Sequence, residues 1–482
     1  MTPTRRRWSA PDPAVRPAAA RRRVGIRRPL DVVLEEPRIG RRPLPPVALL
    51  VLLFALLVIA GTVLLSLPIA TRDGSMPDLV TALFTATSAA CVTGLVVVDT
   101  ATYWSPFGQL VILGLIQLGG FGFMTGSTFL LFRLVRHRSG LRDRLLVQAE
   151  TGVLQLGGTG RLLRRVALFT IAVEAAGGIA LAAVFAPHTS DLPQAAWWGL
   201  FHSVSAFNNA GFDVIGGFRS ATPFVGEPGV LLVLAALIVV GGLGFALVAD
   251  VWAKRSWVRL ALETKIVVVT SAVLLIAGAV LFGALEWDRP ATLGPLAPAD
   301  RLVNALFHSA SARTAGMNAV PVDALAPATL LVLIGLMFIG GASGSPAGGI
   351  KVNTFAVLLV AILSAGRGLA SPIAFGRRIP HAVVYRALAV ALLSIAVVFV
   401  TTLALAVLVE GDPIDLAFES VSALGTVGLS TGTTPGLSDP ARLLLALGMF
   451  VGRLGPLTLA LALTARARPV RVQPAVESLR IG

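Results

Sequence analysis

The sequence predicts an all-α polytopic membrane protein built from four tandem repeats around one pore with pseudo-fourfold symmetry. Three observations predict this fold: an apolar composition, loops that alternate between basic and acidic, and a short motif that occurs four times. Each repeat is expected to have the order M1-P-M2, in which M1 and M2 cross the membrane and P is a re-entrant loop. The four repeats then give eight transmembrane helices and four re-entrant pore loops.

The composition is that of a membrane protein. Hydrophobic residues make up 55% of the 482 residues, charged residues only 13%, and the mean hydropathy is +0.82. Soluble domains carry about 25% charged residues. Apolar stretches at residues 47–67, 166–185 and 383–409 are each long enough to cross a hydrocarbon core about 30 Å thick.

The net charge of +15 follows the membrane sides rather than forming one surface for nucleic acid. Twelve arginines precede residue 43, and further basic clusters occupy residues 133–165, 254–265, 367–386 and 466–480. The intervening loops carry acids, including Asp78, Asp191, Glu286 and Glu419. Because basic loops stay in the cytoplasm, this pattern predicts a multi-pass protein of the plasma (inner) membrane with both termini cytoplasmic and no nucleic-acid partner.

The N-terminal end of the chain has no apolar core of its own. Residues 1–44, rich in arginine, proline and alanine, are predicted to form a disordered cytoplasmic tail beside anionic lipid headgroups. They do not resemble a cleavable signal peptide, because the following apolar span is too long. The single cysteine, Cys91, excludes an internal disulfide.

A motif of Phe-x-x-x-Ser-Ala followed by a glycine occurs four times. The segments read LFTATSAACVTGL (83–95), LFHSVSAFNNAGF (200–212), LFHSASARTAGM (306–317) and AFESVSALGTVGL (417–429). Their glycines are 117, 105 and 112 residues apart, with a long apolar span before each and a glycine-rich apolar span after it. We therefore divide the chain into repeats at residues 45–135, 136–256, 257–366 and 367–482, the last including a C-terminal tail.

These segments are too short to cross the bilayer and too polar to face lipid. Non-helical backbone at membrane depth is tolerated only where it lines a water-filled cavity or is buried in protein. A short helix that enters from outside and a strand that returns satisfy this condition. Four such loops predict a central pore.

The glycines point to a filter for cations. Glycine adopts positive φ readily, so consecutive carbonyls can turn toward the pore axis and replace the hydration shell of an ion. The negative C-terminal ends of the short helices also favour cations. The predicted filter, with K⁺ at its carbonyls, consists of Val92, Thr93, Gly94, Leu95, Asn209, Ala210, Gly211, Phe212, Thr314, Ala315, Gly316, Met317, Thr426, Val427, Gly428 and Leu429.

Each segment carries one glycine, whereas the TVGYG filter of a tetrameric potassium channel carries two, so we expect looser selectivity. Asp99 and Asp213 lie just outside the filter. They either concentrate cations at the mouth or are ordinary loop acids.

These residues resemble the Trk/Ktr/HKT superfamily of potassium and sodium transporters, and most of all its Ktr-type membrane subunits. The resemblance runs from residue 43 to residue 482 and is most specific at residues 91–104, 207–213, 313–318, 338–351 and 452–459. It implies potassium uptake through a channel-like pore, because a serine replaces Gly94 in sodium-preferring plant relatives. It also implies a homodimer without a covalent cofactor, with sodium as a candidate activator.

The third M2 span, at about residues 329–364, is interrupted by glycines and a proline, which cost about 1 and 3 kcal/mol in a helix interior. The resemblance implies that this interruption is an intramembrane gate, although Pro346 stands where the family has a small hydroxyl residue. Arg453 lies inside the fourth M2 span, where a charge is costly. The resemblance implies that it adjoins the gate and repels cations; the alternative is that it pairs structurally with an acid or with helix-end carbonyls. The gate residues are Gly340, Gly341, Ala342, Ser343, Gly344, Ser345, Pro346, Ala347, Gly348, Gly349, Lys351 and Arg453.

An open pore needs control, and the sequence predicts no soluble domain. The resemblance implies a ring of soluble nucleotide-binding regulatory subunits of the RCK/KTN type, in addition to membrane lipid as a partner. The expected docking surfaces include Arg142, Arg144, Lys254, Arg255, Arg377, Arg378 and residues 472–482.

Other classes of protein fit less well. An alternating-access transporter would show inverted repeats, whereas these repeats share one topological sense. A membrane enzyme would need converging catalytic groups, and the sequence shows neither a nucleophile with a base, nor paired carboxylates, nor a phosphate loop. A sodium-selective or weakly selective transporter of the same fold stays the alternative.

Four further polar residues lie in the apolar part of the chain. His202 and His308 are expected to pack or hydrogen-bond, Arg313 to brace its short helix, and Glu174 has no explanation from sequence.

Overall fold

A computed structural model of the chain describes residues 46–138 and 159–455, except the side chains of residues 46, 47, 123, 125–138 and 159–163. The predicted tail at residues 1–44, the arginines Arg142 and Arg144, and residues 472–482 lie outside the described residues. The described residues are mostly helical, which confirms the all-α class.

The described part of the chain contains fifteen α-helices, five 3₁₀ helices of three residues each and one small hairpin. The helices are α1 (Pro46–Leu65), α2 (Leu79–Ala90), α3 (Thr100–Tyr103), α4 (Pro106–Arg138), α5 (Thr159–Phe185), α6 (Leu192–Phe207), α7 (Pro228–Leu243), α8 (Phe245–Lys254), α9 (Leu262–Glu286), α10 (Pro298–Ser311), α11 (Pro327–Phe338), α12 (Val352–Gly366), α13 (His381–Leu408), α14 (Pro413–Gly425) and α15 (Asp439–Leu454). The antiparallel hairpin pairs β1 (Ile373–Ala374) with β2 (Arg377–Arg378).

Four of the described helices, α1, α5, α9 and α13, are long and apolar enough to cross a membrane. The bent pair α7–α8 adds a fifth if it is one span. Large apolar side chains on these helices point outward, such as Ile179 at 73% exposure and Val407 at 80%. Such a surface is expected where the surrounding solvent is lipid.

The four predicted motifs lie at the ends of four short helices, α2, α6, α10 and α14, which we call the loop helices. They contain 12, 16, 14 and 13 residues, which is about 18–24 Å at 1.5 Å per residue and less than a full crossing. Asp78, Asp191 and Asp412 cap three of them by accepting backbone N–H hydrogen bonds. Glu419, predicted to be a loop acid, instead lies inside α14 and is fully buried.

The helices that follow the loop helices differ from one another. α4 is continuous, whereas α7 and α8 meet at an angle of 89° at Gly244, whose φ is +77°. α11 ends at Phe338 and α12 begins at Val352, so the predicted interruption of the third M2 span is present and covers residues 339–351. The bend at Gly244 was not predicted.

The core is shared between neighbouring repeats in a closed cycle. The phenylalanine of each motif is at most 1% exposed and belongs to a cluster that contains residues of the preceding repeat. Phe201 joins Trp104 and Ile112, Phe307 joins Phe185 and Leu234, and Phe418 joins Phe282 and Leu333. Phe84 closes the cycle by joining Leu405, Leu445 and Met449 of the fourth repeat.

Candidate functional site

Each loop helix leads into a segment in which two alternate residues have positive φ. The glycines have φ values of +94°, +73°, +70° and +99° at Gly94, Gly211, Gly316 and Gly428, and the residues two before them +57°, +58°, +80° and +47° at Val92, Asn209, Thr314 and Thr426. A β-branched residue such as Val92 rarely adopts this conformation. The same outlier at four equivalent positions therefore indicates a functional constraint rather than a local accident.

The four segments form a closed ring. A Cβ atom built on Gly94 would lie 2.4 Å from the carbonyl oxygen of Ala210, the residue before the next glycine. The same relation links each remaining glycine to the next segment: Gly211 to Ala315 at 2.8 Å, Gly316 to Val427 at 2.1 Å and Gly428 to Thr93 at 2.2 Å. The four segments thus follow one another in chain order around the ring, and only glycine fits at these positions.

The serine of each motif braces the segment that follows it. Ser88 and Ser422 accept hydrogen bonds at Oγ from the N–H groups of Gly94 and Gly428, both at 3.1 Å. Ser205 Oγ donates to the carbonyl of Phe212 at 2.7 Å, and Ser311 Oγ donates to that of Met317. Each serine carbonyl also accepts a backbone N–H from the residue five positions later.

Side chains after the glycines point away from the ring. Leu95, Phe212, Met317 and Leu429 are at most 2% exposed and belong to the four core clusters. All sixteen predicted filter residues therefore lie in the ring segments, and these four apolar side chains anchor the segments to the core.

One end of the ring carries polar side chains. The hydroxyl oxygens of Thr314 and Thr426 and both amide atoms of Asn209 are buried without a hydrogen-bond partner in the described residues. Val92 occupies the fourth equivalent position. These atoms could contact an ion or water at this end of the ring, which we call the inner end.

The predicted gate residues lie against the inner end. A Cβ built on Gly348 would fall 1.7 Å from Thr426 Oγ1, and one on Gly340 would fall 3.2 Å from Thr314 Cγ2. Residues 339–351, which we call the broken segment, are held by backbone hydrogen bonds from Gly340 to Ile350 (2.9 Å) and from Ala342 to Gly242 of α7 (2.8 Å).

Arg453 ties three elements together beneath the ring. This residue of α15 is 1% exposed. Its guanidinium donates to the carbonyl of Pro346 in the broken segment and, at 2.9 Å, to the carbonyl of Gly119 in α4. Lys351 Nζ donates to the carbonyl of Ala347. Both basic residues therefore hold the broken segment through its carbonyls.

A buried polar network surrounds Glu174, whose role sequence reasoning missed. Its carboxylate accepts hydrogen bonds from Asn208 Nδ2 at 2.8 Å and from Gln117 Nε2 at 3.1 Å. Asn208 caps the C-terminal end of α6, directly before the second ring segment. Glu174 of α5 and Gln117 of α4 thereby brace that end; a mid-span carboxylate was the only signal in the sequence.

The two acids that follow the first and second ring segments, Asp99 and Asp213, differ in their partners. Asp99 caps α3 through Thr102 and accepts a hydrogen bond from the N–H of Phe218 at 3.0 Å. Burial works to raise the pKa of Asp99, but these hydrogen bonds outweigh it and the pKa lies below its ordinary value. Burial raises the pKa of Asp213 to about 6, with the nearby charge of Asp99 acting in the same direction.

Three other residues noted in the sequence have structural contacts. The guanidinium of Arg313 donates to the carbonyl and hydroxyl oxygens of Ser271 in α9. His202 Nδ1 lies 2.7 Å from the Trp198 carbonyl, and His308 Nδ1 lies 2.9 Å from that of Asn304. Both histidines are buried in loop helices, so they stabilise α6 and α10.

Comparison with known proteins assigns a family. Residues 54–468 match the family model TrkH, described as cation transport protein. The chain is 38% identical over 418 residues to Ktr system potassium uptake protein B of Bacillus subtilis, and this alignment covers 86% of this chain and 92% of the relative. It is 35% identical over 431 residues to the potassium/sodium uptake protein NtpJ of Enterococcus hirae, which covers 89% and 94%.

A solved structure has the same fold. The crystal structure of the potassium transporter TrkH from Vibrio parahaemolyticus matches with a TM-score of 0.67 at 20% identity. The match covers 89% of this chain and 86% of that chain.

Proposed function

The chain belongs to the TrkH family of cation transport proteins, and from that premise we propose that it takes up potassium ions through a pore along the axis of the glycine ring. The ring carries the proposal. In each of its four segments, alternate residues have positive φ, and each glycine packs against a carbonyl oxygen of the next segment. The segments thereby supply a ring of backbone oxygens that replaces the hydration shell of a cation.

Electrostatics at the ring also favours cations. The C-terminal ends of the loop helices carry a partial negative charge, and each of them leads directly into a ring segment. The polar atoms of Asn209, Thr314 and Thr426 add oxygens there. The two relatives named above as potassium uptake and potassium/sodium uptake proteins are consistent with this choice of ion.

A sodium-selective or weakly selective transporter is the second candidate. One relative is named for both ions, and each segment has a single glycine, which leaves fewer well-formed sites. Potassium remains the proposal because all four segments have glycine, the feature that accompanies potassium in the family.

The broken segment and Arg453 are proposed to form the gate. The segment lies against the inner end of two of the four ring segments, and in this proposal it narrows the ion path there. Arg453 adds a positive charge beneath the ring, which repels cations while its hydrogen bonds to Pro346 and Gly119 persist.

The assembly in the membrane is proposed as follows. Four M1-P-M2 repeats give eight crossings of the plasma membrane, with the basic loops and both termini in the cytoplasm. The chain forms a homodimer, each subunit with its own pore, and a ring of soluble nucleotide-binding subunits regulates it. Two relatives named as Ktr system proteins, from Bacillus subtilis and Vibrio alginolyticus, support a multi-component system.

Ion flux tests the proposal. The purified chain is reconstituted in liposomes, and influx is measured with K⁺ or Na⁺ as the only permeant cation. We expect K⁺ influx to exceed Na⁺ influx. Equal rates would favour the weakly selective candidate, and faster Na⁺ influx would favour the sodium-selective one.

The regulatory proposal needs a separate experiment. Gentle extraction from native membranes should co-purify a soluble subunit, and ATP should change flux only when that subunit is present. A nucleotide response by the purified chain alone, or the absence of any such subunit, would refute this part.

A further inference from the structure

An exposed aromatic and basic surface lies beyond the bend at Gly244. Trp252 at the end of α8 is 68% exposed, Val258 is 80% exposed, and Trp257 packs edge-on against Phe375 of the β1–β2 hairpin with ring centroids 6.1 Å apart. Two distant parts of the chain thus present large apolar side chains on one surface. We call these four residues the interface patch.

A groove runs from this patch into the helical body. It has a volume of about 760 Å³, and its lining includes Leu243, Leu247, Trp257 and Val268, with Arg255 beside them. Val268 lies in the second turn of α9, so the groove extends along a span as well as across the surface. Its size lies in the range of sites for small ligands, roughly 300–1,000 Å³.

Two arginines accompany the groove: Arg255 lines it, and Arg259 lies in the chain between the lining residues Trp257 and Leu260. Arg255 and Arg259 are exposed, and neither forms an ion pair with any acid among the described residues. Lys254, by contrast, is paired with Asp250 at 2.7 Å. Two unneutralised arginines beside an apolar groove complement a ligand with an anionic head and an apolar chain.

The direction of α8 selects a lipid as that ligand. α8 turns by 89° from α7, so it lies along the membrane surface if α7 crosses. Tryptophan is enriched at this level, and amphipathic helices with basic residues lie in the interface plane. A soluble subunit could cover the arginines, but only an acyl chain would follow the groove to Val268.

The wall of the groove also touches the broken segment. Leu243 and Leu247 pack against a cluster that contains Ala342 and Val352. A Cβ built on Gly244 would lie 3.1 Å from the N atom of Ser345. A chain in the groove therefore presses on the elements that hold this segment.

We propose that an anionic phospholipid of the cytoplasmic leaflet binds in this groove, with its headgroup at Arg255 and Arg259, and stabilises one position of the broken segment. The orientation and the gating consequence rest on the proposed function; the binding site rests on the groove, its charges and its aromatic rim.

Tryptophan quenching tests the binding without any transport. The purified chain is titrated in micelles with dibrominated phosphatidylglycerol or dibrominated phosphatidylcholine, and the signal of a Trp252→Phe/Trp257→Phe variant is subtracted. We expect quenching at lower mole fractions of the anionic lipid. Arg255→Gln/Arg259→Gln should raise the half-quenching mole fraction about 25-fold, at about fivefold per charge.

Matched controls sit near the opposite membrane face. Trp287→Phe should leave the anionic preference unchanged, as should Arg72→Gln, because both residues lie outside the groove. Equal quenching by the two lipids, or no change in the double arginine variant, would overturn the proposal.

Three further outcomes separate this site from the proposed function and from a surface that docks protein. If no liposome composition supports ion flux but the charge-dependent quenching persists, the lipid site stands and the transport proposal fails. If the wild-type chain transports K⁺ equally with and without phosphatidylglycerol, the gating link is wrong. If the double arginine variant loses a soluble subunit rather than lipid, the surface docks protein and the lipid proposal is refuted.

Discussion

Replacing Gly94 by serine should lower potassium-over-sodium discrimination about tenfold. At a φ of +94°, any side chain costs about 1–2 kcal/mol in backbone strain. The new Cβ would also lie 2.4 Å from the Ala210 carbonyl oxygen, against a minimum of 3.0 Å, so that oxygen must move by at least 0.6 Å (3.0 − 2.4). Binding groups must be held within about 0.5 Å, and a loss of about 1.4 kcal/mol is tenfold.

The assay is paired K⁺ and Na⁺ influx into proteoliposomes, with the amount of inserted protein measured independently. Gly432→Ser is the matched control. Gly432 has a φ of +88°, close to that of Gly94, but nothing lies within 4 Å of its Cβ position. It therefore carries the backbone strain without displacing the ring, and its ion discrimination should stay at the wild-type value.

A graded series sharpens the test. Alanine at Gly316 and Gly428 meets a carbonyl at 2.1 and 2.2 Å, whereas alanine at Gly211 meets one at 2.8 Å. Discrimination should fall most for the first two and least for the third. If Gly94→Ser matches the wild type, or if Gly432→Ser loses as much discrimination, steric closure of the ring does not determine selectivity.

Three further substitutions test the surroundings of the ring. Arg453→Gln removes charged hydrogen bonds worth about 1.5–3 kcal/mol each and should raise K⁺ flux about tenfold or more. The control Arg442→Gln, on the same helix, should leave K⁺ flux unchanged. Unchanged flux in Arg453→Gln would exclude this residue from the gate. Glu174→Ala should destabilise the protein by about 1–3 kcal/mol through the unmatched amide of Asn208, and Glu174→Gln should restore most of the loss in thermal unfolding. K⁺ uptake at low concentration should fall as external pH drops through about 6, because protonation then removes the negative charge of Asp213; a profile unchanged in Asp213→Asn would refute this.

Much of the architecture was readable from local patterns. The spacing of Gly94, Gly211, Gly316 and Gly428 predicted equivalent segments, and the structure brings them into one ring. The interruption at residues 339–351 was visible because several glycines and a proline lie together, and their combined cost excludes continuous helix. Repetition and strong local propensities are what one sequence reveals best.

Features that depend on distant contacts were not predictable. Glycines lie at 241, 242 and 244, but the same pattern at 119, 120 and 122 lies inside continuous α4, so the pattern alone does not mark an 89° bend. The contact of Gly244 with Ser345 comes from another repeat. The partners of Glu174 lie 34 and 57 residues away. Asp99 could be interpreted from the sequence either as an acid of the ion entrance or as an ordinary loop acid, and its hydrogen bond from the N–H of Phe218, 119 residues away, was not predictable.

The cyclic sharing of the core has a consequence for biosynthesis. Phe84 emerges from the ribosome in the first repeat, but Leu405, Leu445 and Met449, the residues that cover it, are made more than 300 residues later. The first loop helix can pack against α1 and α4 of its own repeat, but the side that carries Phe84 must wait until the fourth repeat inserts. A chain stopped after three repeats leaves the cycle open at this one seam, so chains truncated before α13 should be recognised as incomplete and degraded.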